Sequence, residues 1–212
     1  MDLEPHLIIT SRVEHQSLLS QLAPTVVLSM DRDPVYEQLM SIGSLIGKEQ
    51  AAVEWIYSLE KEAEALREWT FKHLGEQTVG IMRIRPGLLQ MYGTMNMGYP
   101  LYRLLQVRPP ERIHWQIHCN TYYHSSVISA EELRFYEADH LFIVIFSDEE
   151  STLALEQLQR SQGWNNYPAI LNGNVYYVKA NQWLAFDPIS IKSQMREAAK
   201  LLTGSKGTSN YA

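Results

Sequence analysis

The stretch from Gly47 to His73, GKEQAAVEWIYSLEKEAEALREWTFKH, constrains the fold more than any other part of the chain. Ala52, Trp55, Ile56, Leu59, Ala63, Leu66 and Thr70 recur three or four residues apart, so they share one helical face, while Glu49, Lys61, Glu64 and Glu68 take the other side. The pattern predicts a single amphipathic helix. From Lys48 to His73 it would run about 39 Å at a rise of ~1.5 Å per residue, enough to cross a small domain and brace two lobes. An ordinary core helix of one domain would show the same periodicity, so the rest of the chain has to decide between these readings.

The remaining sequence bounds the answer by exclusion. At 212 residues the chain can bury a real core, as one large domain or as one domain and part of another. No apolar run approaches the ~20 residues a membrane-spanning helix needs. The opening MDLEPHLIIT has no basic-then-apolar signal pattern, as expected of a cytosolic chain or a processed one. Net charge is −6 with no cluster of Lys and Arg, so direct nucleic-acid contact by this chain is not expected. The one cysteine, Cys119, excludes an internal disulfide and any multi-cysteine metal site.

In chain order, Leu7–Thr10 (LIIT) and Thr25–Leu28 (TVVL) read as short buried parallel strands with a helical turn or two over Glu14–Leu22 between them. Asp33 before Pro34 reads as the cap and first turn of a helix through Val35, Leu39, Ile42 and Leu45, ending near Gly47. Beyond Gly75 strands and helices alternate, the texture of an α/β layer structure. Val79–Arg85 and Leu88–Tyr92 form a hairpin turned by Pro86-Gly87, and Gly98–Gln106 reads as helical. Pro109-Pro110 reads as a break leading into the non-helical polar and aromatic run His114–Ser126. Ser129 with Glu132 forms a capping box for a helix to about Glu137, followed by a buried strand, His140–Phe146. A helix over Ser151–Ser161, a loop with a short turn over Gly163–Asn174, a strand over Val175–Lys179 and a helix over Ile189–Leu202 complete the expectation. The tail beyond Gly204 is expected to be disordered.

No catalytic signature is present: the Gly-x-Ser-x-Gly, Walker and dinucleotide glycine patterns are all absent. His114, His118 and His124 could hold a metal or activate Cys119, but without a nearby carboxylate no metal site is expected. The stronger constellation is cationic and aromatic: Arg83, Arg85, Tyr92, Trp115, His118, Tyr122, Tyr123, His124 and Trp183. Arg83 and Arg85 fall on one face of a strand, and guanidinium beside planar rings suits an anionic, delocalised ligand. The competing reading is that the rings fill the core and the arginines pair with surface carboxylates.

Several stretches in order carry a family resemblance: LEPHLIITS, LAPTVVL, IGSLIGKEQAAVEWIYSLEKEAEAL, VGIMRIRPGLLQMYG, ISAEEL and AILNGNVYYVKANQWLAFDPISI. Together they resemble the class III substrate-binding proteins of ABC importers, the siderophore, haem and cobalamin group. The same fold also serves as the siderophore-sensing domain of AraC-type regulators. The resemblance implies an α/β, two-lobed substrate-binding-protein fold with a long inter-lobe helix. Residues 1–47 would be a partial N-terminal lobe, 48–74 the helix, 75–203 the C-terminal α/β lobe and 204–212 the tail. The N-terminal lobe is expected to be incomplete, because two strand-and-helix units of the family should precede Leu3. His6 stands where the family usually has Asp.

The same resemblance implies non-catalytic binding of a ferric siderophore of catecholate-like type, or alternatively of cobalamin or haem. Ligand-binding residues would be Arg83, Arg85, Tyr92, His118, Tyr122, Tyr123, His124 and Trp183, and Glu131 would dock a transporter. No intrinsic cofactor is implied, since the chelator carries the iron. The partner would be an ABC permease for a membrane-anchored extracytoplasmic importer component, or a fused DNA-binding module for a cytoplasmic regulator.

Overall fold

A computed structural model describes residues 4–28 and 35–204, which form two compact units, Met1–Tyr57 and Ser58–Ala212. In the first unit β1 (Ile8–Thr10) and β2 (Thr25–Val27) pair in parallel, Ile8 opposite Thr25 and Thr10 opposite Val27. A 3-10 turn and α1 (Gln16–Leu19) connect them. α2 (Val35–Leu45) follows; the Asp33-Pro34 start expected for it lies outside the described residues. Gly47, at φ 64°, ends α2 by letting the Lys48 amide reach back to the Gly43 carbonyl at 2.7 Å, while its own amide meets Ser44 at 3.3 Å. Only glycine takes that left-handed turn without strain.

α3 spans Glu49–Leu74 and is the long helix expected, its 26 residues giving about 39 Å at ~1.5 Å each. Ala52, Leu59, Ala63 and Thr70 are buried along the expected face, while Lys61, Glu64 and Glu68 are exposed. Gly75 closes it with a single bond to the Phe71 carbonyl at 2.8 Å. In the second unit, β3 (Val79–Arg85), β4 (Leu88–Tyr92), β5 (Ser125–Ile128), β6 (His140–Ile145) and β7 (Val175–Lys179) form one sheet in the order β5-β4-β3-β6-β7. β3, β6 and β7 are parallel and the β3-β4-β5 edge is antiparallel. Every residue of β6, HLFIVI, is buried, as befits a central strand covered on both faces.

Several segments depart from the sequence expectation. Pro110 starts α4 (Glu111–Cys119) as its N-cap instead of breaking a helix, with the His114 amide on the Pro110 carbonyl at 2.8 Å. The run expected to be non-helical from His114 is therefore helical as far as Cys119 and then enters β5. Gly98–Gln106 is a 3-10 turn and a π-helical turn, Pro100–Leu104, rather than a regular helix. A Cβ on Gly98 would lie 1.7 Å from the Gly93 carbonyl oxygen, so this tight crossing requires glycine. The Ser129–Glu132 box forms, but it caps a 3-10 turn, Glu131–Phe135, instead of a helix to Glu137.

α5 (Glu149–Gln159) begins at Asp148, whose carboxylate accepts from the Ser151 amide at 2.8 Å. The segment expected to be a loop holds α6 (Gln162–Asn165) and α7 (Pro168–Leu171). α8 (Ala180–Trp183) follows β7, and α9 (Pro188–Thr203) starts from Asp187, which accepts from the Ile189 and Ser190 amides at 3.0 Å each. Glu62 of α3 receives Arg196 and Lys192 of α9, the latter at 3.3 Å. The expected tail, residues 205–212, lies outside the described residues.

Candidate functional site

β3 is apolar for most of its length and turns polar at its C-terminal end. Ile81, Arg83 and Arg85 alternate onto one face, while the buried Met82 and Ile84 take the other. The register then determines what surrounds Arg83. Its partner on β4 is Gln90, and its partner on β6 is Val144. Two residues past Val144, on the same face, the Phe146 ring lies beneath the guanidinium, with Cζ 5.5 Å from the ring centroid.

No carboxylate or other acceptor among the described residues meets Arg83. Its Nε is buried without a hydrogen-bond partner, although the residue as a whole is only half-buried. A partly desolvated cation with an orphaned donor costs free energy, and proteins retain such groups where something else supplies the acceptor.

Beside the arginine runs a polar relay. The buried Tyr92 donates its hydroxyl to Gln90 Oε1 at 3.0 Å, and Gln90 Nε2 donates to Ser125 Oγ at 2.7 Å. Ser125 Oγ is also 2.8 Å from His124 Nδ1, and the His124 ring stands 5.4 Å from that of Tyr92. Having accepted from Gln90, the Ser125 hydroxyl has its own proton to give to His124. Tyr92 pairs with Ser125 and Gln90 with Arg83, so the relay shares the Arg83 face. Burial holds the His124 pKa below the usual imidazole range, keeping the ring neutral near pH 7.

The expected ligand wall is only partly assembled. Tyr92 and His124 meet in the relay, on the sheet face that carries Arg83. Arg85 is exposed and lines a cleft of about 270 Å³ beside Leu88, Leu89, Ile128 and Leu158, toward α5. His118 is exposed on α4 next to Trp115, ring centroids 6.1 Å apart. Tyr122 is exposed under Arg103, 5.6 Å from its Cζ. Tyr123 bonds the hydroxyl of Ser126, which pairs with Met91 on the opposite face of the sheet from Ser125, and burial pushes its pKa up.

Trp183 is fully buried against Phe142 at 5.5 Å and donates Nε1 to Glu197 at 2.8 Å. It supports the Arg83 face from within and presents no surface. Gln90, Ser125 and Phe146 were not singled out from the sequence. Gln90 could have been found by its two-residue spacing from Tyr92; the other two depend on long-range register.

Glu131 is exposed at the start of its 3-10 turn. Hydrogen bonds from its own backbone amide and from Ser129 hold its carboxyl below the usual range, so it presents a fixed negative charge. His114 and His118 lie one turn apart on α4, but among the described residues no three His, Cys, Asp or Glu side chains converge as metal ligands.

Against known proteins, residues 1–182 match the family model described as periplasmic binding protein. The iron(3+)-hydroxamate-binding protein YxeB of Bacillus subtilis is 25% identical over 200 residues, which cover 92% of this chain and 62% of that protein. The chain thus spans about three fifths of that relative's length. The HTH-type transcriptional activator Btr of the same organism is 26% identical over 77 residues, 36% of this chain and 15% of that one. An FhuD fold-family component of a Fep/Fec-like ferrichrome ABC transporter from Bacillus subtilis superposes with a TM-score of 0.85 at 25% identity, covering 95% of this chain and 74% of its own. The strand order, the long helix and the family match agree, and the chain belongs to the periplasmic binding protein family.

Proposed function

We propose that the Arg83 face contributes one wall of a non-catalytic binding site for a ferric siderophore. The observation that carries this reading is the half-buried guanidinium with no acceptor, set beside a Tyr, Gln, Ser and His relay at the carboxyl end of a sheet strand. Chelate oxygens supply acceptors for such donors, and the iron stays on the chelator. The names of relatives such as YxeB point to ferric chelates rather than to cobalamin or haem.

Two chelate classes compete. A catecholate-like ligand, expected from the arginine pair, would draw on both Arg83 and Arg85, because three dianionic catecholates leave ferric iron with a net negative charge. A trihydroxamate is neutral around the iron and calls for fewer cations and more neutral donors. Arg85 lines the cleft toward α5 while Gln90, Tyr92 and Ser125 share the sheet face of Arg83, and the relative's name is iron(3+)-hydroxamate-binding. Both observations favour the hydroxamate class.

The likeness to the component of a Fep/Fec-like ferrichrome ABC transporter supports a role as the binding component of an importer working with an ABC permease, with Glu131 as a docking carboxylate. The shorter match to Btr supports the alternative, a sensor module joined to DNA-binding helices. Titration of the full chain with a ferric trihydroxamate, a ferric tricatecholate and haem, followed by tryptophan fluorescence, tests the ligand. Saturable quenching by the trihydroxamate at the lowest concentration is expected. Indifference to every ferric chelate would overturn the proposal.

A further inference from the structure

We propose that Phe146 is a positioning residue: its ring holds the Arg83 guanidinium in a ligand-ready orientation without neutralising it. The inference rests on reading Arg83 as a ligand-facing cation. An arginine side chain has several rotatable bonds, and on this face no hydrogen-bond acceptor or carboxylate among the described residues restrains it. The Phe146 ring, 5.5 Å from Cζ, is the contact that gives the cation a defined direction.

Phe146 follows Ile145, the last residue of β6, and keeps the parity of Val144, the residue opposite Arg83. A half-buried ring is thereby placed under the guanidinium just where the backbone leaves the sheet. The choice of an aromatic has a chemical consequence. A carboxylate at this position would fix the arginine equally well, but it would occupy the N–H donors and cancel the charge that a ligand oxygen needs. A π face attracts the cation through its quadrupole and leaves the in-plane N–H groups free. Fewer side-chain rotamers then have to be frozen when the ligand arrives.

The test is a double-mutant cycle on the full chain, with Phe146→Leu and Phe146→Trp each made with Arg83 and with Arg83→Gln. A ferric trihydroxamate and a ferric tricatecholate are the titrants. Phe146→Leu should weaken binding about three- to tenfold with Arg83 present, the range expected when one rotamer-rich side chain has to be immobilised on binding. It should have no further effect beside Arg83→Gln, and Phe146→Trp should restore binding. Independently of any ligand, the Nε–H resonance of Arg83 should show a ring-current shift that Phe146→Leu abolishes. Equal losses in both Arg83 backgrounds, undiminished binding by Phe146→Leu, or an unshifted Nε–H signal would each overturn the assignment. Failure of the unmutated chain to bind any ferric chelate would sink the ligand reading instead, with the Nε–H signal still deciding what Phe146 does.

Discussion

Replacing Arg83 by methionine should leave stability level or raised while weakening ligand binding. Arg83 Nε is buried with no acceptor, and leaving a buried donor unpaired costs about 1–3 kcal/mol. Methionine removes that donor and the charge while keeping a flexible apolar stem along the strand. The compensating loss is the contact with the Phe146 ring, worth about 0.5–1 kcal/mol for a partly exposed cation. The balance predicts a ligand-free variant more stable by roughly 0–2 kcal/mol. At about 2–4 °C per kcal/mol for a chain of this size, Tm should stay level or rise by several degrees. Binding should fall about 10- to 100-fold, since a hydrogen bond to a charged group contributes about 1.5–3 kcal/mol. Thermal melts without ligand and siderophore titrations on the same preparations supply both readouts. Arg83→Lys serves as the control that keeps the charge but loses the planar fork. A variant destabilised by more than about 1 kcal/mol that still bound the chelate as tightly would show that Arg83 stabilises the sheet, and the reasoning would be refuted.

Two further predictions concern the scaffold. Glu62 receives Arg196 and Lys192, whose hydrogen bonds, that from Arg196 foremost, hold its carboxyl below the usual range. A depressed carboxylate stabilises the fold above its unfolded pKa and loses that contribution as pH falls through the folded one. Glu62→Gln should therefore cost about 1 kcal/mol in urea melts at pH 7, the upper range for a partly exposed ion pair, with the difference shrinking in acid; a pH-independent difference would contradict this. Asp148→Ala removes the acceptor for the Ser151 amide and hydroxyl, at 2.8 and 3.0 Å, and should lower the urea midpoint with siderophore binding unchanged, measured by the same melts and titrations.

What could be read from the sequence follows from which forces are local. The long helix was legible because its period, its length and its closing Gly75 all lie within one stretch. The β3–β4 hairpin was legible for the same reason, Pro86-Gly87 joining two alternating runs. The proline pair suggests a break and so conceals α4; a proline has no amide to satisfy, and Pro110 serves well as the residue before the first turn. The relay could not be read at all, since Gln90 meets Ser125 only through the β4–β5 register, 35 residues apart in sequence. Trp183 is buried although its type suits a ligand wall, because residue type alone does not tell a ring that faces a ligand from a ring packed within the core.

Topology singles out the site more sharply than residue type does. From β3 the chain turns one way into β4 and later returns on the other side as β6, so the carboxyl ends of β3 and β6 lie where the connections diverge. Arg83 stands near the carboxyl end of β3 and Phe146 just beyond that of β6, the two strands that flank the divergence. Arg85, two residues further along β3, has already reached the hairpin turn and faces the α5 cleft. The two-residue spacing gives both arginines one strand parity, but Arg85 stands at the strand's end and lines the α5 cleft together with Ile84 and its partner Leu89, so the two guanidiniums part. The one that keeps a defined ring partner and lacks an acceptor is Arg83.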